Sequence, residues 1–320
     1  MSVFRFKLIP VVLLLMTGCQ SSEVKLNSIG KESEVLVVCR DDIFETDAAK
    51  AIISELSANY PALPQQENLF DVIRIGESDF SELFRRHKAI LKIERSADET
   101  KLYIKRNQYA NQQVVLVMKI NEKQLHDSAS GHQLGLTAAD FFSMEDRKIR
   151  IEKLNKAYSK KISEAVIRNF GFRISVPADF FIAKEENNFI WLRRETSNTS
   201  SAILIYTIAS MADLNAVTVR DSVTKIHIPG PSDGSFMLVN MEIEPVVYKD
   251  SLLNHSATVT RGIWKVEKDF MGGPFVNFCI PDTDRNRILC MDAFVYAPKF
   301  DKREYINRLM AIIYSAENLK

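Results

Sequence analysis

The longest apolar run in this 320-residue chain, Leu8 to Met16, is roughly half the length that crosses a bilayer as a helix. Charge of one sign is also lacking: 42 Lys and Arg stand against 41 Asp and Glu, so no global field draws in nucleic acid. The RRHK run at residues 85–88 is too short to alter that, and no nucleic-acid partner is expected. Histidine and cysteine are scarce. His87, His126, His132, His227 and His255 are scattered, and neither H-E-x-x-H nor a paired C-x-x-C occurs, which excludes the common zinc patterns. The MGGPF segment at 271–275 is no phosphate loop, because Gly-Lys-Ser/Thr is missing and Pro274 has no amide to donate. It reads as the start of a strand where backbones approach closely. No metal or cofactor is expected from these patterns.

The first 19 residues, MSVFRFKLIPVVLLLMTGC, carry the most specific signal. Arg5 and Lys7 form a positive leader, an apolar run follows, and small Thr17 and Gly18 precede Cys19, the layout of a lipoprotein signal peptide cut before an acylated cysteine. Residues 1–18 are then removed and residues 19–33 form a polar, lipidated tether. Two or three palmitate-type chains on Cys19 anchor the protein firmly, since each buried methylene contributes about 0.8 kcal/mol and one chain alone is marginal. Gln20 is not the aspartate of inner-membrane retention and Glu23 is the one acid nearby, so the expected location is the outer membrane, facing the periplasm.

Outside the cytoplasm thiols can oxidise, which makes Cys39, Cys279 and Cys290 informative. FVNFCIPDTDRNRILCMDAF reads as a hairpin. If it is symmetric about Asp284 and Arg285, Phe275 faces Phe294, Asn277 faces Asp292 and Cys279 faces Cys290. Facing residues in a non-hydrogen-bonded pair have Cα atoms about 4.5 Å apart, within disulfide reach. A slip of one residue parts the sulfurs, so two separate buried thiols remain the alternative.

A mature chain of about 300 residues favours two domains. In residues 34–136, VLVVC, FDVIRI, KAILKIE, KLYIKRN and QQVVLVMKI read as strands, with a helix through Ile43, Phe44, Ala48, Ile52 and Leu56. Residues 137–170 read as one long connecting helix opening at Thr137, its apolar stripe running from Met144 through Ile151, Leu154 and Tyr158 to Ile162 and Ala165. Lys148, Lys153, Lys156, Lys160 and Lys161 lie on its solvated side. Residues 171–320 are strand-rich, with SFMLVNMEIE among the strands and a terminal helix capped by Asp301. The expected class is α+β: two domains, each a mainly antiparallel sheet with packed helices, joined through the long helix.

Taken as a set, SVPADFFIAKEENNFIWLRRE, HIPGPSDGSFM, RGIWKVEKDFMGGPFVNF and FVYAPKFDKREYINRLMAII, with LPQQENLF at 63–70, resemble a family of bacterial lipoproteins classed as a domain of unknown function. The resemblance covers most of the mature chain. It implies a lipid-anchored envelope protein and assigns no catalytic residue. More loosely, the second half resembles the PsbP-like fold, which implies an α/β/α sandwich around an antiparallel sheet and nothing about activity.

One segment invites a catalytic reading: GPSDG at 230–234 matches G-x-S-x-G, with Ser232 as the serine and Asp250 and His255 following in order. A nucleophile elbow must lead from a strand into a helix, however, and a strand is expected after it. Pro229, Pro231 and two glycines suit an ordinary turn better. Asp282 and Asp284 read as turn formers, and the Phe189–Trp191 and Ile263–Trp264 clusters as core. The functional expectation is a non-enzymatic envelope component that binds a protein partner or assists assembly. The alternatives are a serine hydrolase using Ser232 and a carrier of an apolar or glycan ligand.

Overall fold

Leu36, Val37 and Val38 have no exposure to solvent, so the strand that holds them is buried on both faces. Such a run belongs inside a parallel sheet with cover on either side. The computed structural model, which describes residues 25–209 and 215–319, places it there. The first domain runs β1 (Glu34–Cys39), α1 (Asp41–Phe44), α2 (Asp47–Leu56), β2 (Asp71–Gly76), α3 (Glu82–Arg85), β3 (Ala89–Ser96), β4 (Lys101–Arg106), β5 (Val114–Asn121) and α4 (Glu122–Leu125). Its sheet has the order β2-β1-β3-β5-β4. The α+β, two-domain class holds and antiparallel pairing dominates the chain as a whole. Within this first sheet, though, β1 pairs parallel with β2 and β3, and β3 with β5, leaving β4–β5 as the antiparallel ladder.

The long helix differs from its expected bounds. α5 spans Ser128–Lys156 and begins before Thr137, because the Asp127 carboxylate accepts the Ala129 and Ser130 amides and caps it there. Thr137 is interior, its hydroxyl turned back to the Gln133 carbonyl. After Lys156 the chain breaks: the Ser159 amide bonds the Val176 carbonyl, and the Ser159 hydroxyl caps a new helix, α6 (Lys160–Phe170). Gly171 ends α6 in the left-handed conformation, at φ +84°. The single helix expected over 137–170 is therefore two.

The second domain continues with β6 (Phe172–Arg173), β7 (Phe181–Glu186), β8 (Phe189–Glu195), β9 (Ser200–Ile208) and α7 (Ala216–His227). It ends with β10 (Met237–Val239), β11 (Val246–Leu252), β12 (His255–Val266), β13 (Gly272–Asp282), β14 (Arg287–Tyr296), α8 (Arg303–Tyr314) and β15 (Glu317–Asn318). The eight-stranded antiparallel sheet has the order β10-β12-β13-β14-β9-β8-β7, with β11 paired to β12. Only Met237–Val239 of SFMLVNMEIE is strand, and β11 comes from VVYKDSL, whose polar residues hide its alternation. Ile162, Phe170, Leu309 and Ile312 of α6 and α8 pack on one face with Val259 and Val276. Val219 of α7 packs on the other with Trp264 and Leu204. The β13–β14 register is the symmetric one, with Cys279 opposite Cys290 and Asn277 opposite Asp292.

Candidate functional site

α8 begins without the Asp301 cap. Lys302 occupies the cap position but its side chain makes no capping bond, and Asp301 instead accepts from the Gln65 side-chain amide. The capping carboxylate comes from the first domain: Glu67 accepts the Lys302 amide at 2.6 Å and the Arg303 amide at 2.8 Å. Around it, Arg303 pairs with Asp71 at 2.9 Å, and Tyr60 donates to Asn307 at 2.5 Å. Arg150 of α5 spans the same seam, holding Asp146, Glu32 and Glu304 at 2.6 to 2.7 Å. These bonds fix the terminal helix against the first domain.

Between them lies a cavity of about 260 Å³. One wall is α5, where Asp140, Ser143, Arg147 and Arg150 recur at helical spacing and form a polar stripe. The opposite wall is Asn307, Met310 and Tyr314 of α8. Tyr248 and Asp250 of β11 and Arg261 of β12 close it from the sheet, and Tyr60 and Phe70 from the first domain. Arg261 stands in phase with Ala257 and Val259, both fully buried, so the strand alternation points its charged side chain where an apolar one belongs. Only 8% of Arg261 is exposed, and its guanidinium carbon lies 4.6 Å from the centre of the Tyr60 ring.

The electrostatics follow from this enclosure. Burial raises the Tyr314 phenol well above its ordinary range, and its bond to the Asp250 carboxylate raises it further. Burial and Asp250 likewise raise Tyr248, against the pull of Arg261. At the outer edge, burial disfavours the charged form of Glu32, but Arg150 and Lys153 outweigh it and hold that carboxyl below its usual value. The phenols thus stay neutral donors and the arginines stay charged across all ordinary conditions. The groups that face the cavity are arginine cations, neutral hydroxyls and the carboxylates of Asp140, Asp146 and Asp250.

Residues 159–315 match the family described as domain of unknown function DUF4837, and residues 28–139 match domain of unknown function DUF8532. The chain carries two domains of unknown function. No curated protein matches it. The cavity draws its walls from both matched regions and from α5 between them, so neither DUF8532 nor DUF4837 alone contains the site.

The residues singled out from sequence fall elsewhere. In DUF4837, Ser232 sits in an exposed turn where its amide bonds the Ser235 hydroxyl and its carbonyl accepts from Ser235. Gly234 supplies the left-handed step at φ +71°, and the chain then enters β10 rather than a helix, so no nucleophile elbow forms. Asp250 belongs to the seam cavity and is engaged by Tyr314. Cys279 and Cys290 are disulfide-bonded across β13 and β14, with Cα atoms 4.2 Å apart. Cys39 is a free thiol, pushed up to about 12 by burial, with Asp41 and Asp42 adding to it. The lipidation candidate Cys19 lies outside the described residues.

Other expectations fare variously. Trp264 and Phe189 are core, whereas Trp191 is only partly buried. At the MGGPF segment a Cβ on Gly273 would meet the Val295 carbonyl oxygen at 2.0 Å, so close backbone approach explains that glycine. Asp282 accepts from Arg285 and Arg287 within its turn. Met144, assigned to the apolar stripe, is 53% exposed. No metal-binding group of three or more His, Cys, Asp or Glu occurs among the described residues. Sequence reasoning missed Arg261, Arg147 and Tyr248. The signal for Arg261 was a charge in phase with alternating core positions of its strand.

Proposed function

We propose that this protein is a lipid-anchored component of the cell envelope, held through Cys19, that binds a ligand or partner without transforming it. The supporting observation is the seam cavity, in which buried cationic and hydroxyl groups from both domains converge while the described wall carries neither histidine nor cysteine. Its serines, Ser33 and Ser143, bond no carboxylate among the described residues, Ser33 accepting instead from Arg150 and Asn307, and convergent polar groups without a nucleophile bonded to a base suit recognition rather than turnover. The hydrolase alternative rests on Ser232, whose turn runs on into a strand. An apolar-ligand carrier would need a deep greasy pocket, and this one is walled by arginine, aspartate and tyrosine.

The test is cross-linking of the native protein in cells beside Cys19→Ser, with mass spectrometry of what is captured and metabolic labelling by a palmitate analogue. Acyl label lost in Cys19→Ser, together with a specific partner or retained small molecule, supports the proposal. Absence of label removes the anchor, and an esterase activity that disappears in Ser232→Ala restores the enzyme reading.

A further inference from the structure

Four arginines in the described structure are less than a tenth exposed: Arg150, Arg220, Arg261 and Arg303. Arg150 holds Asp146, Glu32 and Glu304, Arg220 holds Asp292, and Arg303 holds Asp71. Arg261 alone among them has no carboxylate partner among the described residues. Its neighbours are the phenols of Tyr60 and Tyr248, and the Tyr60 ring covers one face of the guanidinium. A ring face attracts a cation but does not replace a counter-ion, and an enclosed unpaired charge is costly. The seam cavity opens directly beside it.

Building on the reading of this cavity as a binding place, we propose that it holds a small oxyanion, a carboxylate or a phosphate, with its charged oxygens on Arg261. The planar guanidinium fork matches both groups in a two-point fashion that a point charge cannot reproduce. Arg147 supplies a second cation nearer the mouth. Its guanidinium carbon lies 4.0 Å from the Tyr314 ring centre, and its closest carboxylate oxygen, on Asp250, stands 3.9 Å off, beyond hydrogen-bond length. Asp146 pairs with Arg150, and Asp250, which accepts from Tyr314, has Arg147 as its nearest arginine and forms no ion pair with Arg261.

Size and the remaining charges narrow the ligand. A volume of about 260 Å³ lies just below the range of a drug-sized pocket. Asp140, Asp146 and Asp250 face the same space and repel a second anionic group placed away from the arginines. A single charged head on a small body therefore fits, and a nucleotide or polyphosphate does not.

The experiment is calorimetric titration of the full mature chain with inorganic phosphate, acetate, benzoate and, as the excluded class, ATP. The expected result is one saturable site per chain for phosphate or a carboxylate, weakened at least tenfold in Arg261→Met and unchanged in Arg168→Met, which alters an exposed arginine outside the cavity. Arg261→Lys should recover only part of the affinity, because it restores charge without the fork. If Arg261→Met does not fold, Arg147→Met, at the partly exposed mouth, should still weaken binding severalfold. No saturable binding by any of these anions, or equal binding in Arg261→Met, overturns the proposal. Native mass spectrometry separates the two levels: an uncharged or cationic molecule retained by the cavity refutes the oxyanion and keeps the binding reading, whereas no retained molecule and no anion binding removes both.

Discussion

Glu67 and Arg303 are 236 residues apart in sequence, and the carboxylate of the first accepts the backbone amide of the second at 2.8 Å. A helix start leaves amides unpaired, and α8 satisfies two of them with this one side chain from the other domain. Helix capping, ordinarily local, here couples DUF8532 to DUF4837.

Removing that carboxylate should destabilise the protein measurably. Glu67→Ala is expected to cost about 1 kcal/mol, as capping residues do, while Asp301→Ala, the local candidate that does not cap, should cost less than about 0.5 kcal/mol. Urea unfolding of the two variants decides it, and equal losses would return the cap to Asp301.

Most elements of both domains were legible because their strands and helices follow their apolar periods, β11 and the break after Lys156 being exceptions, and the symmetric β13–β14 register was legible as one of the few alignments open to the apolar runs on either side of the PDTDRNR segment. Strand direction in the first sheet was not. VLVVC announces burial on both faces, yet nothing local states which neighbour it takes. The cavity was hidden for a related reason: Asp140, Ser143, Arg147 and Arg150 form a stripe that reads as a solvated helix face until α8 arrives from 150 residues away and covers it. Glu67 in LPQQENLF gave no sign of capping because its helix is in another domain.

A buried ion pair pins α7 to the large sheet. Arg220 and Asp292 are 1% and 0% exposed, joined at 2.7 Å, with Asn277 completing the carboxylate's bonds at 3.2 Å. One nitrogen of Arg220, Nη1, has no hydrogen-bond acceptor. Removal of Asp292 strands a full charge in the core, so Asp292→Ala should cost about 3–5 kcal/mol. The double variant Arg220→Met, Asp292→Leu should lose less than that single change, since it removes both charges and keeps apolar volume. Chemical denaturation of the wild type and the two variants measures it; a double variant that loses as much as Asp292→Ala, or more, would contradict the pairing.

Thiol counting addresses the disulfide. In Cys19→Ser, Cys39 is the free thiol of the described structure and is buried, with its thiolate disfavoured. The native protein should resist alkylation, the unfolded protein should take one label without reductant, and three with it. Three labels without reductant would rule out the Cys279–Cys290 bond.

Acid should loosen the seam through Glu32. Its folded carboxyl titrates below the ordinary 4.5, because Arg150 and Lys153 overcome the burial that opposes ionisation. A carboxyl lowered on folding contributes stability that is fully present above its unfolded value and is lost as pH falls through the folded one. The urea midpoint should therefore fall at pH below 4.5, and Glu32→Gln should flatten that part of the fall while lowering stability at neutral pH. Parallel pH curves for the two proteins would show that Glu32 does not contribute.

Gly131 and Gly135 let α5 lie directly on α2. A Cβ at Gly131 would stand 2.5 Å from the Ala48 Cα and 2.7 Å from the Ala48 carbonyl oxygen, both backbone atoms that cannot rotate away. Within a helix, alanine in place of glycine gains about 1 kcal/mol of propensity, so an exposed position would be stabilised by the exchange. At this contact the helices must separate instead, and overpacking costs about 1–3 kcal/mol. Gly131→Ala is therefore expected to destabilise on balance, by up to about 2 kcal/mol, and to spread loss to Phe141 and Phe142 farther along the same helix, which pack into the first-domain core. Thermal unfolding gives the sign directly: a rise in melting temperature would mean that propensity outweighs the contact and that α2 and α5 are not so closely apposed.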